Sequence, residues 1–226
     1  MITDYGKIFT EEEISQISSL IKSNKKYWTH CSYYSGKDYI HFPKYYLGSP
    51  SYPLDEMKHL IDSAPTRYVK FEEKSINFFK ENIWITERVL NKFTEIFQLP
   101  TEKYGSFPGF HIMNSKKRNN TFVNIYHTDL FDVLYYSLKN LKEHNITNEL
   151  YSMAVCIESP SSGAGLYYKE NDVEKYYPYS ENGKLLIWKG SLPHRAAPIN
   201  LINDEEYRIT YQGHFLLKTD KILYFW

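Results

Sequence analysis

Two residues separated by one carry the first chemical signal: His127 and Asp129, in Tyr126-His127-Thr128-Asp129. On a β-strand, side chains at i and i+2 leave by the same face. An imidazole nitrogen and a carboxylate oxygen could therefore converge on one point, as two ligands of a metal ion. Alone the pair says little, because a chain with 8 histidines and 27 acidic residues is expected to contain about one His-x-Asp/Glu by chance. His194 strengthens it. This residue follows the apolar strand Lys184-Leu-Leu-Ile-Trp188 on a turn, where a side chain can be held and still reach a cavity. Then comes Tyr207-Arg208-Ile209-Thr210-Tyr211-Gln212, in which Arg208, Thr210 and Gln212 form a polar stripe on what otherwise reads as a core strand. A buried arginine is costly unless it meets an anion, and a bidentate carboxylate would answer that cost.

The other candidates read more plainly. His30, His41, His59 and His144 are taken as surface or core polar residues. His111, in Gly109-Phe110-His111-Ile112-Met113, is either a satisfied core histidine or a cavity residue touching substrate. Arg195, beside His194, is the alternative anion clamp, while Arg67 and Arg118 read as solvated. The pairs Tyr167-Tyr168 and Tyr176-Tyr177 read as packing and edge residues. Cys31 and Cys156 form no disulfide framework and no CxxC knuckle, so both are expected as ordinary reduced thiols.

These residues need elements to position them. The first third reads helical: Thr10-Glu-Glu-Glu13 is a capping box, and Ile14, Ile17, Leu20 and Ile21 share a helical face. Residues 25–53 read as a loop-rich stretch, and a short helix is expected over 54–63. Helical spacing returns over 71–97, as one helix or two, bounded by Pro100. From 107 onward short β-branched and aromatic runs predict strands at 108–114, 121–128, 151–158, 164–169, 173–178, 183–189, 206–217 and 221–225. A helical repeat at Leu134, Leu138 and Leu141 interrupts them, and the insert 130–148 is expected to lie over the cavity mouth as a lid or a packed connection. The pattern predicts an α+β protein: a jelly-roll or double-sheet barrel with N-terminal helices packed on one outer face.

Composition sets the frame. The 226 residues are 42% hydrophobic and 17% aromatic, which suits a single domain that needs no disulfide staple. Residues 1–100 are expected as mainly helical support and 105–226 as the β core. The balance of 27 Lys+Arg against 27 Asp+Glu offers no global attraction to nucleic acid or an anionic membrane. The N-terminus lacks the apolar run of a signal peptide, and no window approaches the ~20 apolar residues of a membrane span. A cytoplasmic protein is the expectation.

The order His127-x-Asp129, His194, Arg208, with Thr210 two residues on, resembles the iron(II)- and 2-oxoglutarate-dependent oxygenase superfamily. Ser159-Pro-Ser-Ser-Gly-Ala-Gly165-Leu166 is similar to the Gly-rich turn that such proteins place between core strands. The resemblance covers about residues 105–217 and identifies no subfamily. It implies a double-stranded β-helix core and Fe(II) held by His127, Asp129 and His194, with no further catalytic residue. It also implies 2-oxoglutarate held by Arg208 and Thr210, O2 as oxidant, and hydroxylation of a substrate C–H bond as the usual outcome. Related halogenases have a small residue at the position of Asp129, so halogenation is not expected. The expected substrate is a small metabolite such as an amino acid or natural-product intermediate. Nucleic acid is disfavoured, no membrane partner is expected, and a protein substrate stays open.

Two other readings compete. Two histidines and a carboxylate also suit a zinc hydrolase or isomerase, with Glu158 as the candidate general base. A jelly-roll barrel could also bind a small ligand without chemistry. Neither accounts for the whole ordered set, since the zinc reading leaves the Arg208 stripe unexplained.

Overall fold

The computed structural model describes residues 1–35, 38–48, 75–103, 108–114, 122, 126–129, 149–203 and 205–225, with the backbone alone over 30–44. The expected helix 54–63, the insert 130–148, Arg67, Arg118, His59, His144 and the side chains of His30, Cys31 and His41 lie outside the described residues, as does most of 115–125.

The chain opens with strand β1 (Thr3–Lys7) and helix α1 (Glu11–Ser23). The capping box forms as its residues require: the Glu13 amide donates to Thr10 Oγ1 (3.2 Å) and the Thr10 amide to Glu13 Oε2 (2.9 Å). Ile14, Ile17 and Ile21 are the buried stripe of α1. Helix α2 (described over 75–81) and helix α3 (Ile83–Phe97) are separated at Asn82, whose side-chain amide donates to the Phe78 carbonyl (2.8 Å). The 71–97 periodicity thus resolves into two helices among the described residues.

The stretch expected as loop, 25–53, contains β2 (Thr29–Ser35) and β3 (Asp38–Leu47). Its aromatic residues form an antiparallel ladder rather than a coil. With β1 they join the main sheet, so the described part of residues 1–100 supplies three strands as well as α1, α2 and α3. The remaining strands are β4 (Thr101–Lys103), β5 (Gly109–Met113), β6 (Leu150–Glu158), β7 (Ser162–Gly163), β8 (Leu166–Glu170), β9 (Val173–Tyr177), β10 (Lys184–Lys189), β11 (His194–Ala196), β12 (Ile199–Asn200), β13 (Arg208–Leu217) and β14 (Ile222–Phe225).

The main sheet has the order β1-β10-β6-β13-β5-β3-β2, with β14 pairing the end of β13 and β4 running parallel to β14. Smaller sheets, β11-β8-β9 and β12-β7, form a second layer. The period-2 alternation of the central strands sorts their side chains between two cores. Ile112, Met153, Val155, Ile157, Leu185, Ile187, Ile209, Tyr211 and Phe215 face α1, α2 and α3, together with Ile17, Phe78 and Phe93. The Tyr211 hydroxyl lies 2.9 Å from Thr86 Oγ1 on α3, and the Phe93 and Phe215 ring centroids are 4.6 Å apart. Met113, Ala154, Cys156, Leu186 and Trp188 face the other way and pack with Leu166, Leu192 and Ile199 of the second layer. The protein is a mostly-sheet α+β fold with helices on one face, and the expected polar stripe lies on the other.

Candidate active site between the two layers

β13 is antiparallel to both β5 and β6, so Arg208, Thr210, Gln212 and His214 point away from the helices, alongside His111 of β5 and Ser152 and Cys156 of β6. One irregularity matters. Ile209 pairs Glu158, but Thr210 pairs Cys156. Ile157 is thus an extra residue in β6, a bulge that turns the strand end. Glu158 is swung to the helical side, where Ser18 Oγ donates to its Oε2 (2.5 Å) and Lys22 Nζ to its Oε1 (2.8 Å). The candidate base that the sequence offered for a zinc hydrolase therefore sits on the opposite face from the other site residues, paired with Lys22.

His127, Asp129 and His194 do converge: one ligand atom from each lies within 4.8 Å of the other two. His127 Nε2 is 3.7 Å from Asp129 Oδ1, and His194 Nε2 is 3.4 Å from Asp129 Oδ2. The backbone arrangement differs from the expected strand 121–128. At its described positions the chain makes one isolated antiparallel bridge, in which the His127 and His194 amides each donate to the other's carbonyl (3.1 and 2.9 Å). By Asp129 the backbone is already helical. The pair therefore meets through a bridge and a turn, not through strand alternation.

The second partners of the triad fix its chemistry. His194 Nδ1 lies 2.9 Å from the Leu192 carbonyl; a carbonyl only accepts, so Nδ1 carries the proton. Nε2 is then the ring nitrogen turned toward Asp129, the atom a metal-ligating histidine presents when its other nitrogen is held by a carbonyl. Trp188 packs edge-on against the same ring, with centroids 5.2 Å apart. Ser152 Oγ donates to Asp129 Oδ2 (2.5 Å). Burial pushes the Asp129 carboxyl up, but His194, His214, His127 and the Ser152 hydroxyl outweigh it and hold the group below the usual carboxylate range. An ionised carboxylate among imidazoles is a hard-oxygen and nitrogen donor set suited to Fe(II) or Zn(II).

Arg208 is 2% exposed. Its Nη2 donates to the Gly165 carbonyl (3.1 Å), and its guanidinium lies 5.4 Å from the Tyr179 ring centroid. Nε and Nη1 have no hydrogen-bond partner among the described residues. Two orphaned donors on a buried cation mark a place for an anion. Gly165 makes this possible by close approach: at φ +122° a Cβ there would lie 2.6 Å from the Tyr177 carbonyl oxygen and 2.7 Å from the Tyr176 ring. Thr210, 1% exposed, accepts from Gln212 Nε2 (2.8 Å), so its own hydroxyl proton remains to be donated.

Arg195 is placed elsewhere. It pairs with Tyr167 and shares that residue's face, pointing away from His194 and Tyr168. Its guanidinium lies over Phe122 (3.5 Å to the centroid) and Tyr126 (4.4 Å) and binds Glu174 (3.2 Å). It clamps the segment carrying His127 and Asp129 rather than reaching the interior. His111 is on the interior face, opposite Thr210, with its ring 4.8 Å from that of Tyr46. Cys156 is buried, and burial pushes its thiol up to about 11, which disfavours the thiolate form.

Sequence reasoning missed Ser152, Trp188, Tyr179 and His214. The signal for His214 was present, since it continues the 208, 210, 212 alternation. Ser152 carried no signal, because it becomes notable only when β6 lies beside Asp129.

No family model matches the sequence, and no curated protein matches it. Solved structures do. An oxidoreductase of the 2OG-Fe(II) oxygenase family from Burkholderia pseudomallei superposes with a TM-score of 0.50 at 11% identity, covering 94% of this chain and 82% of that one. A Pseudomonas putida prolyl-4-hydroxylase matches more loosely, with a TM-score of 0.48 at 10% identity, covering 96% and 92%. The chain has the fold of a 2OG-Fe(II) oxygenase, with a His-Asp-His cluster between its two layers.

Proposed function

We propose that the protein is an Fe(II)- and 2-oxoglutarate-dependent dioxygenase with a double-stranded β-helix (jelly-roll) core, acting in the cytoplasm to hydroxylate a C–H bond of a small metabolite. The observation that carries the reading is Arg208, a buried guanidinium with two donor atoms unpartnered among the described residues, on the interior face of a strand that the His127, Asp129 and His194 cluster also adjoins through Ser152 and His214. A zinc hydrolase needs no such cation, and its candidate base, Glu158, faces away.

In this reading His127, Asp129 and His194 hold Fe(II), which when bound supplies the O2-dependent oxidation that couples decarboxylation of 2-oxoglutarate to oxidation of the substrate. The protein's own residues bind and orient. His194 presents Nε2 because Leu192 holds its Nδ1 proton. Arg208 binds the distal carboxylate of 2-oxoglutarate through its free donors, and Thr210 adds a hydroxyl from the same strand face. Leu166, Leu186 and Trp188 keep the space between the layers apolar, which limits water around the reacting groups. His111 lines the substrate side, opposite Thr210.

The test is succinate release from 2-oxoglutarate by the protein with Fe(II), ascorbate and O2. Expected is slow metal-dependent release without substrate, lost when Zn(II) replaces Fe(II). No 2-oxoglutarate binding and no succinate would overturn the reading.

A further inference from the structure

His214 has no part in the metal and cosubstrate set above, yet it lies on the interior face of β13, opposite Ser152 of β6. Its Nδ1 is 3.2 Å from Ser152 Oγ. That oxygen is in turn 2.5 Å from Asp129 Oδ2, to which its single proton is donated. With the hydroxyl proton so committed, the imidazole must be the donor of the other bond. The direction of the chain is therefore set: His214 Nδ1–H to Ser152 Oγ, and Ser152 Oγ–H to Asp129 Oδ2. Both parts are packed in place. Ser152 is 1% exposed, and the His214 ring packs 5.8 Å from the Phe225 ring of β14.

We infer that His214 and Ser152 are positioning residues acting in series, a two-bond chain that holds the Asp129 carboxylate in its metal-binding orientation. The inference rests on the metal reading of His127, Asp129 and His194. Asp129 needs such an anchor more than the histidines do. His194 is fixed by Leu192 and by backbone bonds to His127. Asp129 lies past the bridge, where the backbone has turned, and among the described residues its carboxylate accepts from the Ser152 hydroxyl. Groups behind a metal ligand typically govern affinity by ten- to a hundredfold, roughly, when removed.

The experiment measures Mn(II) affinity of the metal-free protein by calorimetry and by the free Mn(II) EPR signal, with thermal melting as a check on folding. Ser152→Ala should weaken Mn(II) binding about ten- to a hundredfold, and Ser152→Thr, which keeps the hydroxyl, should restore most of it. His214→Phe keeps a ring but no donor and should lose several-fold. His214→Asn, whose amide can take the place of Nδ1–H, should lose less than His214→Phe. A chain in series makes one further demand: Ser152→Ala combined with His214→Phe should be no weaker than Ser152→Ala alone. Wild-type affinity in both Ser152→Ala and His214→Phe, or additive losses in the double variant, would overturn the chain while leaving the metal site standing. A wild-type protein that binds no Mn(II) would overturn the metal reading and the chain with it.

Discussion

The chemistry of the site depends on a few atoms whose partners are unequal. Of the guanidinium donors of Arg208, Nη2 meets the Gly165 carbonyl, while Nε and Nη1 have no partner among the described residues. Arg208→Ala should therefore raise the apparent KM for 2-oxoglutarate more than that for the primary substrate. A charge-assisted contact of about 1.5–3 kcal/mol corresponds to roughly ten- to a hundredfold. Arg208→Lys should not recover it, because an ammonium cannot reproduce the fork. Arg195→Ala, by contrast, should leave the 2-oxoglutarate KM within about twofold once metal is saturating, because that side chain is engaged by Phe122, Tyr126 and Glu174 on the other face. Steady-state kinetics on both variants decides between the two arginines. His127→Ala, Asp129→Ala and His194→Ala should each abolish turnover and Fe(II) retention with the melting temperature little changed, since none of the three belongs to either hydrophobic core. Near-wild-type iron content in any one variant would remove that residue from the set.

At the scale of elements, positions that hold no chemistry decide where the chemistry goes. The β6 bulge at Ile157 sends Glu158 to the helices, while Cys156, Ala154 and Ser152 stay with the interior face. Gly165 lets its turn approach Tyr176 and Tyr177 closely enough to offer its carbonyl to Arg208. Gly165→Ala should push that turn away, since its Cβ would meet a backbone oxygen at 2.6 Å and its φ of +122° is strained for any L side chain. The expected cost is about 1–3 kcal/mol of stability, with a several-fold rise in the 2-oxoglutarate KM because the guanidinium loses its fixed partner. Denaturant unfolding and kinetics together check it; an unchanged KM would mean that the turn does not hold Arg208 in place.

Over the whole molecule, two cores on either side of one sheet separate stability from function. The helical side is largely apolar, with the Tyr211 hydroxyl there paired with Thr86 and Glu158 held at its edge by Ser18 and Lys22. The other side carries the buried polar groups Ser152, His194, Arg208 and Thr210. Among the described residues no helix is long and apolar enough to cross a membrane. Acid stability has a local contributor away from the site. Glu206 accepts from Ser161, Ile202 and Asn203, and chiefly the Ser161 hydroxyl holds its carboxyl down at about 2. The unfolded chain regains the ordinary value, 4.5, and so takes up this proton first as pH falls. The stabilisation is complete above about pH 4.5 and is lost between there and about pH 2. Glu206→Gln should flatten the pH dependence of the denaturation midpoint in that window and leave the slope above pH 5 unchanged. The group is exposed enough that the effect should be modest. An identical acid slope in the variant would assign the loss to other carboxylates.

What the amino-acid sequence by itself determined was periodicity and order. The capping box at Thr10 and Glu13, the apolar stripe of α1 and the alternation of β13 are local rules, and they hold in the fold. The set His127, Asp129, His194 and Arg208 was legible through its resemblance to the oxygenase order, whereas local rules alone offered the His127-x-Asp129 pair and the polar stripe of β13. Residues 25–53 were misread because tyrosine, serine and glycine are compatible with loop or edge strand until a neighbour supplies hydrogen bonds, and β5 is that neighbour for β3. Only the tertiary structure could show that His127 and Asp129 meet at a bridge rather than along a strand, that Glu158 faces the helices while Arg208 faces the second layer, and that Ser152 and His214 stand behind the carboxylate. Each of these is a register between strands far apart in sequence. A shift of one residue would exchange the faces, and no local pattern in the chain encodes that choice.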